Sequence, residues 1–572
     1  MQNKIRNKAF LNTLEYQVLP YVQKPERYTG GEGGTILKDD FDLHFCLVFA
    51  DTYEIAMSNI GIQLLYNTIN ERIDTLAELC FCPWPDMEKK MKSEGIQLYS
   101  HGTYTPLKNF DIIGISSPHE MCYTNILTIL SLAGIPINAS KRSPDKYPLI
   151  IGGGALSYNP SPIEDFFDMI VIGEGEEVIN VLLDKYKTIK KTTSRNDFLN
   201  EFKDISGIYL PGSKKNTSRV YTSTIKKPDH PFPVISNVPP VHDRSVVEIA
   251  RGCPWGCRYC QAGYAYRPYR EKNWNDAVDE AFASLEYRGD SEISFLSLSS
   301  SDYKDLSKII ENLKKDENSD HVSLNFPSMR ITRSTLKILE SVYTKKKPTI
   351  TLAPEAGTER MINIIGKKLV FSDFYEIAGD LYKTGWQNIK LYFMIGLPFE
   401  TEKDLTGIID VIQNISSARK KVDGKMARIN VTISNFIPKP QTPFQWSAQS
   451  SIEEILKKQQ FIKRNIKNRF VTLKFTHPSQ SFVEGILARG DQKTALLVKK
   501  AWELGARFDN WSETFNINIW NEAINSLSLE LNDYFSEKKT EDILPWDNIQ
   551  TFTSKKHLLK EWESAKQYAN NS

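Results

Sequence analysis

From residue 43 the chain alternates short apolar runs with longer stretches in which apolar residues recur at helical spacing. The first five runs are "LHFCLVFA", "LAELCFCPW", "FDIIGISS", "YPLIIGGG" and "DMIVIGEGEE". Runs of this length with little internal alternation predict parallel strands buried on both faces, and most of the intervals between them are long enough for a crossover helix. Together they predict an N-terminal doubly wound, Rossmann-like sheet over residues 41–186, behind an extension at 1–40. In that architecture ligands bind where loops leave the carboxyl ends of the strands. Here those ends carry Asp51, Ser116 to Glu120, Gly152 to Gly154 and Gly173 to Gly175.

Residues 187–240 lose the alternation. "KTIKKTTSRND", "PGSKKNTSRVYTS" and "KKPDHPFPVISNVPP" are rich in Lys, Ser, Thr and Pro, which predicts a linker with a short hairpin of its own. A second alternating series follows: "VVEIARGC", "EISFLSLSSSDY", "HVSLNFPSMR", "PTITLAPEAG", "NIKLYFMIGLP" and "RINVTISNFIPKP". Six strands separated by helices predict a partial (β/α)6, TIM-like barrel over 241–450. Residues 451–572 read as a mostly helical C-terminal region with one strand, "FVTLKFT". The fold class is α/β.

Composition narrows the function classes. Lys and Arg (72) nearly cancel Asp and Glu (70), so the overall charge does not predict wholesale attraction to nucleic acid or membrane. No run approaches the ~18 apolar residues of a membrane span, and the amino terminus lacks a signal-peptide core, which together predict a cytoplasmic protein. Seven cysteines, an odd and sparse number, predict no disulfide framework. Cys46, Cys80, Cys82 and Cys122 read as small buried hydrophobes. The other three stand within eight residues of "ARGCPWGCRYCQAG".

Cys253, Cys257 and Cys260 sit on a loop loosened by Gly252 and Gly256. A closed tetrahedral metal site wants four ligands, so this cradle is one short. Two readings are open: zinc closed by Cys82 or a histidine, or a corner of an iron–sulfur cubane whose fourth iron has no protein ligand. In its cysteine spacing and in Tyr259 before the last cysteine, the motif resembles the radical S-adenosylmethionine (SAM) superfamily.

The resemblance covers residues 241 to about 446. It implies a [4Fe-4S] cluster that binds SAM and cleaves it reductively to a 5′-deoxyadenosyl radical. It implies cofactor contacts at strand ends: Ser300 and Asp302 in "LSLSSSDY", where relatives carry two glycines and a longer glutamate for the methionine amino group. Ser328 and Arg330 in "NFPSMR" follow, with Arg330 toward the cofactor carboxylate. Glu355 in "APEAGTER" is placed at the ribose hydroxyls, and Ile395 and Gly396 in "FMIGLPFET" at the adenine.

The front sheet resembles a cobalamin-binding domain through "PLIIGGGALSYNPSPIEDFFDMIVIGEGEEVI", which implies that Gly152, Gly153, Gly173 and Glu174 lie against the cofactor. It departs from the Asp-x-His-x-x-Gly pattern, since residues 51–56 read "DTYEIA" and offer no histidine ligand. A Rossmann-like scaffold or docking surface is the alternative. A third reading, a second cluster on Cys46, Cys82 and Cys122 as in methylthiotransferases, places Cys46 inside a strand. His119 and Glu120 either face a ligand or cap the next helix. The basic run from Lys457 to Arg469 reads as a solvated helix face rather than an RNA contact.

Over nearly its whole length the chain resembles a group of uncharacterised bacterial radical enzymes, through "FVEGILARGD", "AWELGARFDNW" and "LPWDNI". This implies an electron donor such as flavodoxin or ferredoxin. It also implies a partner protein supplying a C-terminal domain found in relatives, and modification of RNA or a ribosomal component by methylation or a related reaction. The alternative is a non-catalytic zinc-binding adaptor. Metal analysis of anaerobically purified protein separates the two: iron with sulfide is the outcome expected of the radical enzyme, and one zinc without either would favour the adaptor.

Overall fold

The five front runs pair as strands of one sheet in the computed structural model. It describes residues 8–189, 194–213, 215–228, 234–315, 322–330, 332–343 and 347–571, so the start of the extension and linker residues 190–193, 214 and 229–233 lie outside the described residues. Strands β1 (Leu43–Phe49), β2 (Thr75–Phe81), β3 (Ile112–Ser117), β4 (Leu149–Gly154) and β5 (Met169–Val171) run parallel in the order β2-β1-β3-β4-β5. Every residue of β2 and all but His44 of β1 are buried, as continuous apolar runs require when both faces are covered. From the linker, β6 (Ile208–Tyr209) joins the edge antiparallel to β5, while Thr217–Ser218 pairs in parallel with Ile549–Gln550. The expected local hairpin is therefore absent among the described residues, because each linker strand finds a partner elsewhere.

All six strands of the second series form, in two sheets. β7 (Ser245–Glu248), β8 (Glu292–Leu296) and β9 (Ser323–Asn325) are parallel in the order β9-β8-β7. β10 (Ile350–Glu355), β11 (Asn388–Ile395), β12 (Arg428–Asn435) and β13 (Val471–Phe475) make the other, also parallel. β13 is "FVTLKFT", which sequence placed in the C-terminal region; it extends the central sheet by pairing with β12. The long strands here bury one face only: Ile389, Leu391, Phe393 and Ile395 pack in a core cluster with the surrounding helices, and Lys390, Tyr392 and Met394 on the other face stay half-exposed. That open inner face leaves room for a ligand.

The C-terminal region divides between the two sheets instead of forming its own core. Helices α1 (Pro478–Ala488), α2 (Gln492–Glu503) and α3 (Ile517–Ser526) share a cluster with the front sheet, and α4 (Lys555–Asn570) packs Leu558, Trp562 and Ala565 into the central one. The connecting segment "ARFDNW" caps the mouth of β1. Asn510 Nδ2 and Trp511 Nε1 donate to the buried Asp51 carboxylate at 2.8 and 2.9 Å, and the Phe508 amide donates to Asn125 Oδ1 at 2.8 Å.

Cys46, Cys82 and Cys122 are buried in this same apolar cluster, and burial pushes their thiols well above the ordinary value. Cys82 Sγ donates to the Asn125 carbonyl at 3.8 Å and Cys122 Sγ to Asp51 Oδ2 at 3.7 Å, so both thiols are engaged in contacts within the front domain. Cys46 points into sheet packing from within β1, as its strand position dictates. No helix among the described residues is long and apolar enough to cross a membrane.

Asp509, in the cap, accepts from Thr124 Oγ1 at 2.6 Å and Trp520 Nε1 at 2.8 Å, and burial pushes its carboxyl up to about 6. An acid whose folded value lies above its unfolded one stabilises fully below the unfolded value and loses that contribution as pH rises through the folded one. Between about pH 4.5 and pH 7 the stability of the wild type relative to Asp509→Asn should fall by about 2 kcal/mol. Thermal unfolding at the two pH values checks this.

Candidate functional site

The three motif cysteines occupy a loop closed by a two-residue ladder. Ala250 and Arg251 pair antiparallel with Glu271 and Arg270. Gly252 opens the loop at φ 85°, where an added Cβ would lie 2.5 Å from the Tyr266 carbonyl oxygen, so only glycine fits. At the base, the Glu174 carboxylate accepts from Arg251 Nη1 at 2.8 Å, from Arg270 Nη1 and Nη2 at 2.9 and 2.8 Å, and from the Thr222 amide at 2.9 Å. Burial works to raise this carboxyl, but the Arg270 hydrogen bonds and the Arg251 charge overcome it and hold the group at about 2.

Arg258 anchors the middle of the loop. Its Nη1 donates to the Asn363 and Ile364 carbonyls at 2.7 and 2.9 Å, its Nε to Glu561 of α4 at 3.0 Å and its Nη2 to Ser564 at 3.1 Å. The two carbonyls end the helix Glu359–Ile364, whose last acceptors have no partner inside the helix. The Arg258 amide adds a bond to the Ile365 carbonyl at 2.8 Å.

Cys253, Cys257 and Cys260 are half-buried and unbridged. Burial raises all three thiols, to about 11 for Cys260, where the Gly263 amide partly offsets burial and the neighbouring Cys257 and Cys253 add to it. Three thiolates held together in this way need a bound cationic centre to stay deprotonated. Among the described residues the group of three metal-ligating side chains with ligand atoms within 4.8 Å of one another is His119, Glu120 and Glu484, so the motif sulfurs are set wider. A single zinc with bonds near 2.3 Å holds its sulfurs about 4 Å apart, whereas a multi-iron corner spreads them. Cys82, proposed as a fourth zinc ligand, is packed in the front-sheet cluster.

Several residues singled out from sequence do gather here. Tyr259 is mainly affected by burial, which pushes its hydroxyl up, and the neighbouring charges of Glu355, Cys257 and Cys260 add to this. Glu355 holds φ 69° and accepts from Lys367 Nζ at 3.2 Å. Ser328 holds φ 59°, exposed at the end of β9. Two non-glycine residues in the left-handed region at neighbouring strand ends each cost roughly 1–3 kcal/mol, which their surroundings must offset. Asp302 accepts from Trp255 Nε1 at 2.6 Å and from Ser299 Oγ. The Arg330 guanidinium lies 3.7 Å from the Trp255 ring centroid, and its charge reaches Cys253.

Others are put to different use. Ser300 is buried and donates to the Pro327 carbonyl at 2.6 Å. Ile395 points into the core, and the Gly396 amide is taken by Glu400 at 2.9 Å. Gly152 packs against Leu156, Phe167 and Ile170; Gly173 at φ 121° lies where a Cβ would meet the Val220 carbonyl at 2.1 Å; Glu174 is the clamp already described. Gly153 alone of the four front residues borders open space. His119 caps the next helical turn through Nδ1, which accepts from the Met121 amide at 3.2 Å, while Lys439 bridges Glu120 and Glu484 at 2.9 and 2.7 Å. That ammonium is the cation these carboxylates hold. Except for Lys458, which pairs with Glu400, the basic run on the helix Ile452–Asn465 and just beyond it is exposed. Sequence reasoning passed over Trp255, Arg258, Arg267, Lys367 and Lys368. The available signals were the Trp between the first two cysteines and the paired lysines of "IGKKLV".

Residues 61–211 match the family of radical SAM proteins, N-terminal, and residues 247–412 match the radical SAM superfamily. An uncharacterised protein of Methanocaldococcus jannaschii is 27% identical over 414 residues, covering 70% of this chain and 83% of that one. A tRNA-2-methylthio-N(6)-dimethylallyladenosine synthase of Wolbachia is 24% identical over 182 residues, 30% of this chain and 41% of the synthase. Among solved structures, the radical SAM methyltransferase TsrM of Kitasatospora setae, with cobalamin and a [4Fe-4S] cluster bound, superposes with a TM-score of 0.51 at 13% identity, covering 93% of this chain and 100% of that one. The last likeness is one of fold. None of these matches supports a zinc adaptor.

Arg258→Lys keeps the charge but loses the planar fork that reaches two carbonyls and Glu561 together. Iron bound after reconstitution should fall severalfold while far-ultraviolet circular dichroism is unchanged. Glu561→Gln should cause a smaller loss in the same iron assay.

Proposed function

Because the chain belongs to the radical SAM superfamily, we propose that Cys253, Cys257 and Cys260 hold a [4Fe-4S] cluster with one iron left open for SAM. In this proposal the site carries out a methyl- or methylthio-transfer type of modification on RNA or a ribosomal component. The observation that carries the proposal is the cysteine loop itself, tied down at both base and middle, with Tyr259, Glu355, Asp302 and Arg330 gathered around it. Such a cluster, reduced by a flavodoxin or ferredoxin, supplies the electron that cleaves SAM to a 5′-deoxyadenosyl radical.

The chain's own residues bind and orient. Asp302 offers a carboxylate to the cofactor ammonium, Arg330 a guanidinium to its carboxylate, and Glu355, held by Lys367, an acceptor to the ribose hydroxyls. Tyr259 keeps its proton at neutral pH, since burial and Glu355 both oppose ionisation, and packs beside the cradle as a neutral wall. The half-exposed inner face of β11 borders the space for substrate. RNA as substrate is extended from the name of the tRNA-modifying synthase, of whose length this chain covers 41%. Cobalamin is extended from TsrM, and Gly153 is the open position on the front edge where it would approach. No step is assigned to cobalamin.

The test is anaerobic reconstitution followed by measurement of reductant-dependent 5′-deoxyadenosine release from SAM. The wild type should form the nucleoside, and Cys257→Ala should form none while keeping its circular dichroism. Wild-type rates in a Cys257→Ala protein would overturn the assignment.

A further inference from the structure

A cavity of about 1110 Å³ opens beside the cysteine loop. Its walls include Pro254, Trp255 and Gly256 from between the first two cysteines, Leu352 and Ala353 of β10, and His557 and Tyr568 of α4. It exceeds the roughly 300–1,000 Å³ of an ordinary small-molecule site. Whatever it holds lies within one or two residues of Cys253 and Cys257.

The lining is basic. Arg258, Arg267, Arg330, Arg333, Lys367 and Lys368 face Asp373 and Glu561 there. Three of these cations are already matched: Arg258 by Glu561, Arg333 by Glu376 and Lys367 by Glu355. Arg267, Arg330 and Lys368 have no carboxylate within ion-pair distance among the described residues; two of them lie over the Trp255 ring, and the third, Arg267, lies over the Tyr264 ring at 4.5 Å and reaches the Trp255 carbonyl. Arg330 and Lys368 lie 3.7 and 5.4 Å from the Trp255 ring centroid, and Arg267 Nη2 donates to the Trp255 carbonyl at 3.2 Å. The ring's negative face and the carbonyls ease this crowding of like charge without neutralising it.

We propose that this cavity grips the phosphate backbone of a single-stranded segment of RNA, with Arg267 and Lys368 on successive phosphates and Trp255 beside the bases. SAM brings one carboxylate, which Arg330 takes in the function proposed above, so two cations remain for another anion. Repeated negative charge in a space larger than a metabolite needs, next to an aromatic ring and guanidinium planes, is the chemistry of a nucleic acid strand. The near-neutral whole chain makes this a local feature and not a consequence of net charge. The inference rests on the proposed function for its meaning, but strand binding itself does not require the cluster.

The experiment is fluorescence anisotropy of a labelled single-stranded RNA of mixed sequence, titrated with reconstituted full-length protein over a range of salt. Polyglutamate of equal charge is the competitor. Arg267→Gln combined with Lys368→Gln should weaken binding at least about tenfold and reduce the slope of log affinity against log salt by about 1.4, the loss of two phosphate contacts. Lys368→Gln alone, at an exposed position that folding tolerates, should give about half that change in slope, and Arg267→Lys with Lys368→Arg should restore most of it. Lys457→Gln with Lys463→Gln, on the solvated helix, should change nothing.

Unaltered RNA binding in the double Gln variant, or equal competition by polyglutamate, would overturn the proposal. Cys257→Ala should bind RNA like the wild type. RNA binding without nucleoside release by the wild type would count against the reaction alone, and release without cavity-dependent binding against this inference alone.

Discussion

One carboxylate, Glu174, joins the two halves of this molecule. It lies just beyond β5 in the front domain and receives the guanidiniums of Arg251 and Arg270, the residues where the cysteine loop leaves and rejoins the central domain. Arg251 also engages Glu176 and Glu248, so the loop entrance is referenced to both sheets. An ion pair this buried is no large source of stability, because desolvation offsets most of the attraction, but leaving either side unpaired costs roughly 3–5 kcal/mol. Its consequence is positional. A loop tied this way cannot wander at its base, and alternative placements of the front sheet would strand a buried charge.

The middle of the loop depends on the opposite end of the chain. Arg258 reads two carbonyls at a helix end and a carboxylate on α4, so the middle of the loop is tied to the C-terminal helix. The same logic recurs at the front edge, where "ARFDNW" supplies the hydrogen bonds of Asp51, Thr124 and Asn125. Buried polar groups at strand ends must find partners, and here the C-terminal segments provide them. The C-terminal region is thus the fastening of the two sheets instead of a third domain.

Strain marks the site independently. Ser328 and Glu355, both non-glycine residues at positive φ, end consecutive strands β9 and β10, which fall in different sheets among the described residues. Glu355 sits where β10 shifts register against β11, and Pro254, Trp255 and Gly256 of the loop line the basic cavity. Glu355 is then held by Lys367, which is how a strained backbone is kept in place.

The sequence by itself determined the strands and singled out a candidate cradle. Continuous apolar runs mark the strands of the front sheet and alternating ones the long strands of the central series, so the eleven strands were legible without coordinates, while residue type and spacing on a glycine-loosened loop named Cys253, Cys257 and Cys260 as the candidates. Tertiary structure alone decided the partners. That "FVTLKFT" belongs to the central sheet, that Gly173 serves Val220 and Glu174 two arginines, and that Arg330 and Lys368 lie over one tryptophan ring are facts about residues far apart in the chain. Local pattern reports which faces must be buried, but an ion pair or a close backbone contact is chosen by the packing that brings distant groups together, and no periodicity records it.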